Sequence, residues 1–137
     1  MDFSRANAIG IGGSATNDAG MGLAAALGWR FLDEGRAVLP PVGDSLSRIA
    51  AIIPPNGQFR TEVQVMCDVT NPLYGPEGAA FVYAAQKGAS HRAIEELDRG
   101  LRHFARIAAE TGPAPDPALP GAGAAGGVGY GAVYFLN

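Results

Sequence analysis

The chain has 137 residues, of which 25 are alanine and 20 glycine, with 47% hydrophobic and 17% charged side chains. That balance excludes disorder of the whole chain, which needs high charge and few apolar groups, and it sets a core of small residues that let backbones approach closely. Thirteen acids against ten bases leave a net charge of −3, so there is no basic footprint for nucleic acid and no polybasic surface for anionic lipid.

Ala8 to Ile11 reads as a short buried strand running into Gly12-Gly13-Ser14. Ser14, Thr16 or Asn17 offers a cap for the next helix, with Asp18 in its first turn and Gly28 ending it after Leu27. Trp29–Leu32 and Ala37–Leu39 flank Asp33-Glu34-Gly35-Arg36 as a hairpin around a glycine-containing turn. Asp44 caps a short helix through Ala51, and Pro54-Pro55-Asn56-Gly57 is a loop. From Glu62 to Cys67 the sequence alternates, placing Val63, Val65 and Cys67 on one face of a strand, with Cys67 expected to be buried. A loop rich in Pro and Gly follows, from Asp68 to Gly78, then a short helix from Ala79 to Gln86 that stops at Lys87-Gly88. Ser90 opens the longest helix, which ends at Thr111 before Gly112-Pro113. Its Ile94, Leu97, Leu101, Phe104, Ile107 and Ala108 form one apolar stripe opposed by charges. Pro113 to Pro120 is a stiff linker, and Gly121 to Tyr134 is a Gly-rich helix or a loop, with Val128, Ala132 and Phe135 favouring the helix. Strands mixed with helices predict a single α/β domain over residues 1–137.

The uncharged stretch from Leu119 to Leu136 contains six glycines and a proline, a poor payload for a membrane span. The first five residues lack the basic start and apolar run of a secretory signal. One cysteine excludes an internal disulfide and a cysteine-based zinc site, and His91 and His103, twelve residues apart, match no metal spacing and read as surface residues. A cytoplasmic protein is the expectation.

Four segments carry candidate chemistry. Gly10 to Ala15 fits G-x-G-x-x-A after a strand and before a helix, with Asp33 about twenty residues on, where a ribose-binding acid of an NAD site would stand. Glycine N–H groups and a helix start welcome an anion, although a plain tight turn uses the same glycines. The polar run Ser14, Thr16, Asn17, Asp18 adds hydroxyls, an amide and a carboxylate, which suit a small polar substrate or phosphate better than a dinucleotide. Asp68-Val69-Thr70-Asn71 leaves the carboxyl end of a strand, where open α/β sheets place ligands. There Asp68 can accept a hydroxyl proton or hold Mg²⁺, and Thr70 and Asn71 can bind phosphate; the alternative is a turn that Asp68 and Asn71 merely cap. Lys87, the sole lysine, is a point-charge partner for phosphate or a solvated helix end. Gly121-Ala122-Gly123-Ala124-Ala125-Gly126-Gly127 repeats the glycine spacing after a proline linker, as a close-packed helix start or a phosphate-cradling turn.

Taken in order, Gly10 to Asp18 (GIGGSATND), Cys67 to Pro72 (CDVTNP), Gly78-Ala79-Ala80 with Gln86 to Ala89 (QKGA), and Pro120 to Gly127 (PGAGAAGG) resemble the bacterial-type glycerate kinase family. The resemblance runs from about Ala8 to the end, with Ala19 standing where such enzymes often have glycine. It covers only the middle of the much longer family members, whose two α/β domains enclose the active site. It implies ATP- and Mg²⁺-dependent phosphorylation of glycerate. Gly12, Gly13, Ser14, Thr16, Asn17, Thr70, Asn71, Gly121 and Gly123 would contact substrate or phosphate. Asp18 and Asp68 would be catalytic or bind metal, and Lys87 would neutralise phosphate. It also implies that a lone segment turns over little glycerate and exposes its former domain contact, which favours self-association. A nucleotide-binding module without catalysis is the competing reading.

Overall fold

The computed structural model describes residues 7–11, 16–57 and 62–136. In chain order the elements are β1 (Asn7–Gly10), α1 (Met21–Ala26), β2 (Arg30–Leu32), a 3₁₀ helix (Gly43–Arg48), β3 (Ala51–Ile53), β4 (Val63–Met66), a π turn (Ala80–Ala84), α2 (His91–Thr111) and α3 (Ala124–Phe135). Strands β1 and β4 pair in parallel, Ile9 opposite Val65 and Gly10 opposite Met66, while β2 and β3 pair antiparallel with Phe31 opposite Ile52. The α/β expectation holds.

The best-patterned segment behaves as its pattern predicts. The Ser90 hydroxyl accepts the Ala93 N–H at 3.2 Å, capping α2, and Gly112 follows its last residue. Ile94, Leu101, Phe104, Ile107 and Ala108 are buried, while Leu97 is only half-buried. Gly100 makes room for the 3₁₀ helix, since a Cβ there would stand 2.9 Å from Leu46 Cβ. On the outer face i,i+4 pairs such as Arg92–Glu96 and Arg106–Glu110 each add about 0.3–0.5 kcal/mol.

Several local expectations change. The turn Asp33–Arg36 forms, with the Asp33 carboxylate accepting the Ala37 N–H at 2.9 Å, but its second arm is a single bridge from Leu32 to Val38. Asp33 therefore closes a hairpin turn. The expected helix from Asp44 to Ala51 is a 3₁₀ helix ending at Arg48, and Ala51 to Ile53 is a strand whose partner is β2. Cys67 is exposed just beyond β4, where its thiol donates to the Val69 carbonyl at 3.3 Å, because the alternation stops at Met66. His103 is not a free surface residue: its ring meets the Ile49 carbonyl at 2.7 Å and Arg106 at 3.0 Å.

The core joins the α2 stripe to aromatic rings from both ends of the chain. Phe104 meets Tyr130 edge-on at 5.8 Å, and Phe135 packs against Trp29 and Phe31. Tyr130 is wholly buried with no hydrogen-bond partner for its hydroxyl among the described residues, and burial pushes its pKa up to about 12. An unfolded tyrosine ionises near 10, so above that pH the unfolded chain loses a proton that the folded chain keeps. Stability should thus be unaffected by this group below pH 10 and fall as pH rises towards 12. Tyr130→Phe is expected to flatten that decline in urea titrations while changing stability at pH 7 by less than about 1 kcal/mol, because no hydrogen bond is lost.

Candidate active site

The parallel register sends the carboxyl ends of β1 and β4 out of the same sheet edge, where Ile11 N donates to Met66 O at 3.2 Å. An open cleft of about 540 Å³ lies there, lined by Gly10, Ile11, Met66, Cys67 and Asp68. Loops leaving this edge are therefore the ones that can meet a common ligand.

The Gly-rich segment 121–131 supports both loops. On one side Ala19 N donates to Gly126 O at 3.0 Å, and a Cβ on Gly126 would strike the Thr16 carbonyl. On the other, Gly123 N donates to Asn71 O at 2.9 Å, and a Cβ on Gly121 would stand 3.2 Å from Cys67 Sγ. Ala125, Gly126 and Gly127 all adopt left-handed backbone, breaking the start of α3 into a tight turn. Gly121 and Gly123 are thus close-packed, and the Gly123 N–H is already taken by a carbonyl. Ala19 is left-handed too, at φ 55, which accounts physically for a glycine being suited to that position.

Asp18 is buried, and its two carboxylate oxygens accept the N–H groups of Gly20 at 2.9 Å and Gly22 at 3.0 Å. It therefore caps α1, a part the sequence assigned to Ser14, Thr16 or Asn17, and α1 itself starts only at Met21. Asn17 beside it has both amide atoms buried and unpartnered among the described residues, while Thr16 is exposed. Leaving such an amide unsatisfied costs about 1–3 kcal/mol. Gly12, Gly13 and Ser14 lie outside the described residues.

Asp68 and Thr70 are exposed. Asn71, in contrast, is engaged on every side: Nδ2 donates to Glu77 O at 2.8 Å and Oδ1 accepts the Tyr83 hydroxyl at 2.9 Å. The side chain thereby fixes the loop, as the turn alternative has it. Burial raises the pKa of the Tyr83 phenol, and nearby Cys67 and Asp68 raise it further. Lys87, four residues beyond Tyr83, is exposed at the end of the same helical run. The far end of the loop is tied to α2: Gly75 N donates to Asp98 Oδ1 at 2.7 Å, and Arg102 donates to Asp98 Oδ2 at 2.9 Å while stacking over Tyr74.

Tyr83, Asp98 and Arg102 were not singled out in the sequence. The only available signals were an i,i+4 acid–base pair with its acid near the apolar stripe, and a lone hydroxyl on an otherwise apolar turn. Among the described residues no group of three His, Cys, Asp or Glu could enclose a metal ion, and no helix is long and apolar enough to cross a membrane. Of the side chains expected to act on a ligand, the strand-edge cleft is lined by that of Asp68, while Asn17 is unsatisfied on the Gly-rich support and Lys87 stands at a helix end.

The family model of the glycerate kinase family matches residues 4–137. A glycerate kinase of Halalkalibacterium halodurans is 47% identical over 133 residues, covering 94% of this chain and 35% of that protein. A glycerate 2-kinase of Escherichia coli is 42% identical over 132 residues, with the same shares. The crystal structure of a protein described as glycerate kinase 2, from Salmonella typhimurium, superposes with a TM-score of 0.88 at 39% identity, covering 95% of this chain and 36% of that one. The chain thus spans about a third of the length of these relatives, and with its matched motifs in order it belongs to the glycerate kinase family.

Proposed function

We propose that this chain forms one wall of an active site that transfers the terminal phosphoryl group of ATP to a hydroxyl of glycerate, in the cytoplasm. The observation that carries the reading is the convergence of the Thr16–Asp18 and Asp68–Asn71 segments on one Gly-rich support beside the β1–β4 cleft. In the reaction the glycerate oxygen bonds to the γ-phosphorus, the bond to the bridging oxygen breaks to release ADP, and the hydroxyl proton passes to a carboxylate. Such transfer depends on positioning and charge neutralisation more than on covalent chemistry.

Asp68 is the carboxylate free to take the proton or to hold a metal, since it is exposed and makes no hydrogen bond shown among the described residues. A single protein carboxylate fits Mg²⁺, which keeps most of its ligands as water and nucleotide phosphate. When bound, Mg²⁺ would supply charge neutralisation on the phosphates. Asn17 offers its unsatisfied amide to glycerate or phosphate, Thr70 a hydroxyl, and Lys87 a positive charge. Gly12, Gly13, Ser14 and Thr16 would add N–H and hydroxyl donors. Asp18 acts at one remove, by fixing the start of α1.

The test is an NMR titration of the chain with glycerate, with ADP plus Mg²⁺, and with NAD. Glycerate and Mg²⁺–ADP should shift resonances around the cleft. Asp68→Asn should weaken the Mg²⁺–ADP response at least about tenfold without moving the melting midpoint, since one charge-assisted contact is worth roughly 1.5–3 kcal/mol. Tight NAD binding with no response to glycerate would sink the kinase reading in favour of a nucleotide-binding module.

A further inference from the structure

Tyr83 stands where three features of the loop meet. Its hydroxyl donates to Asn71 Oδ1, the same amide donates to the Glu77 carbonyl, and the Asn71 backbone carbonyl accepts from Gly123. The Glu77 carbonyl can only accept, so it fixes which way the Asn71 amide faces and obliges Tyr83 to be the donor. Loss of that one proton would leave Oδ1 without its partner and the amide held only at its Nδ2 end, by Glu77. An amide held at one end would hold Asn71, and with it the preceding Asp68, Val69 and Thr70, less firmly in place. Tyr83 also lies on a π turn, Ala80–Ala84, a rare geometry that recurs at functional sites. Its neighbourhood includes the charge of Asp68 and the thiol of Cys67.

We infer that Tyr83 is a positioning residue of the site: by fixing the Asn71 amide, its hydroxyl sets the path of Asp68 to Thr70 on which Mg²⁺–nucleotide binds. The inference rests on the glycerate kinase reading above. It assigns Tyr83 no contact with ligand; the effect passes through Asn71.

The experiment compares the wild-type chain with Tyr83→Phe, which keeps the ring, and with Phe81→Leu, which trims a half-buried ring on the same turn and leaves the hydroxyl in place. Two quantities are read: Mg²⁺–ADP affinity by NMR titration, and the shift and solvent exchange of the Asn71 side-chain amide. Tyr83→Phe is expected to weaken Mg²⁺–ADP about five- to tenfold, the range for one lost hydrogen bond, and to speed exchange of the Asn71 amide. Phe81→Leu should lower the melting midpoint and leave both readings unchanged. If Tyr83→Phe retains wild-type affinity, or if Phe81→Leu weakens binding equally, the inference is overturned while the site reading stands. If the wild-type chain itself binds no Mg²⁺–ADP, the site reading falls and takes this inference with it.

Discussion

Gly126→Ala is expected to unfold the chain at room temperature, or to leave it with most of its stability gone. The residue sits at φ +69, and a Cβ there would collide with the Thr16 carbonyl and press on Asn17 Cα. Neither obstacle is the tip of a flexible side chain, so relief requires separating the Gly-rich segment from the first loop. The left-handed conformation alone costs an alanine about 1–2 kcal/mol, and a backbone collision brings the total into the exceptional range above about 4 kcal/mol. Domains of this kind have roughly 5–15 kcal/mol in all. Gly88→Ala is the matched control: its φ is +83, but nothing lies within 4 Å of the added carbon. Urea denaturation should show a loss of about 1 kcal/mol for Gly88→Ala and a several-fold larger one for Gly126→Ala. Equal losses would mean that the Gly-rich segment is not the tight support described.

The second large effect is on catalysis. The 137-residue chain alone is expected to phosphorylate glycerate at no more than the background rate, even where it binds Mg²⁺–ADP. It covers about 35% of the length of its kinase relatives. Holding two reactants in line contributes roughly 7–11 kcal/mol to such a reaction, and one wall of a cleft binds without aligning. A coupled ADP-release assay on the pure chain, with Asp68→Ala alongside, reads this directly. Turnover well above background that vanishes in the variant would show that the segment carries a complete site.

Legibility of the fold followed the length of the pattern. Over twenty-one residues α2 repeats its stripe often enough that cap, end and buried face all read from the chain. β2 and β3 have three residues each, too few for any period, and they pair side by side with Phe31 opposite Ile52, both buried in the core. The two loops of the site were readable as glycine- and Asx-rich segments after strands. That both face one sheet edge follows from their leaving strand carboxyl ends, but the support that joins them was not readable, because it depends on how closely Gly123, Gly126 and Gly131 let other backbones approach. Ligand and cap draw on the same chemistry, so sequence alone offered Asp18 and Asn71 as site residues where the structure gives their side chains to backbone N–H groups, a carbonyl and a hydroxyl. Asn17 shows the reverse, its lack of partners being visible only once the chain has folded.

The bond from Gly75 to Asp98 ties the lifetime of the site loop to that of a helix. Asp98 lies in the interior of α2 and is almost wholly buried, with Arg102 clamped across it one turn later. To free the Gly75 N–H, that turn of α2 must give way or a buried carboxylate must lose its partner. The loop should therefore open together with the helix as one cooperative unit, unlike exposed loops, which fray independently at little free-energy cost. In hydrogen exchange, the Gly75 amide should persist as long as the amides of the middle of α2, and far longer than that of Gly88, which is exposed. Heat or denaturant that reaches α2 would then dismantle the ligand-facing loop in the same event, so loss of binding and loss of helix should trace one curve.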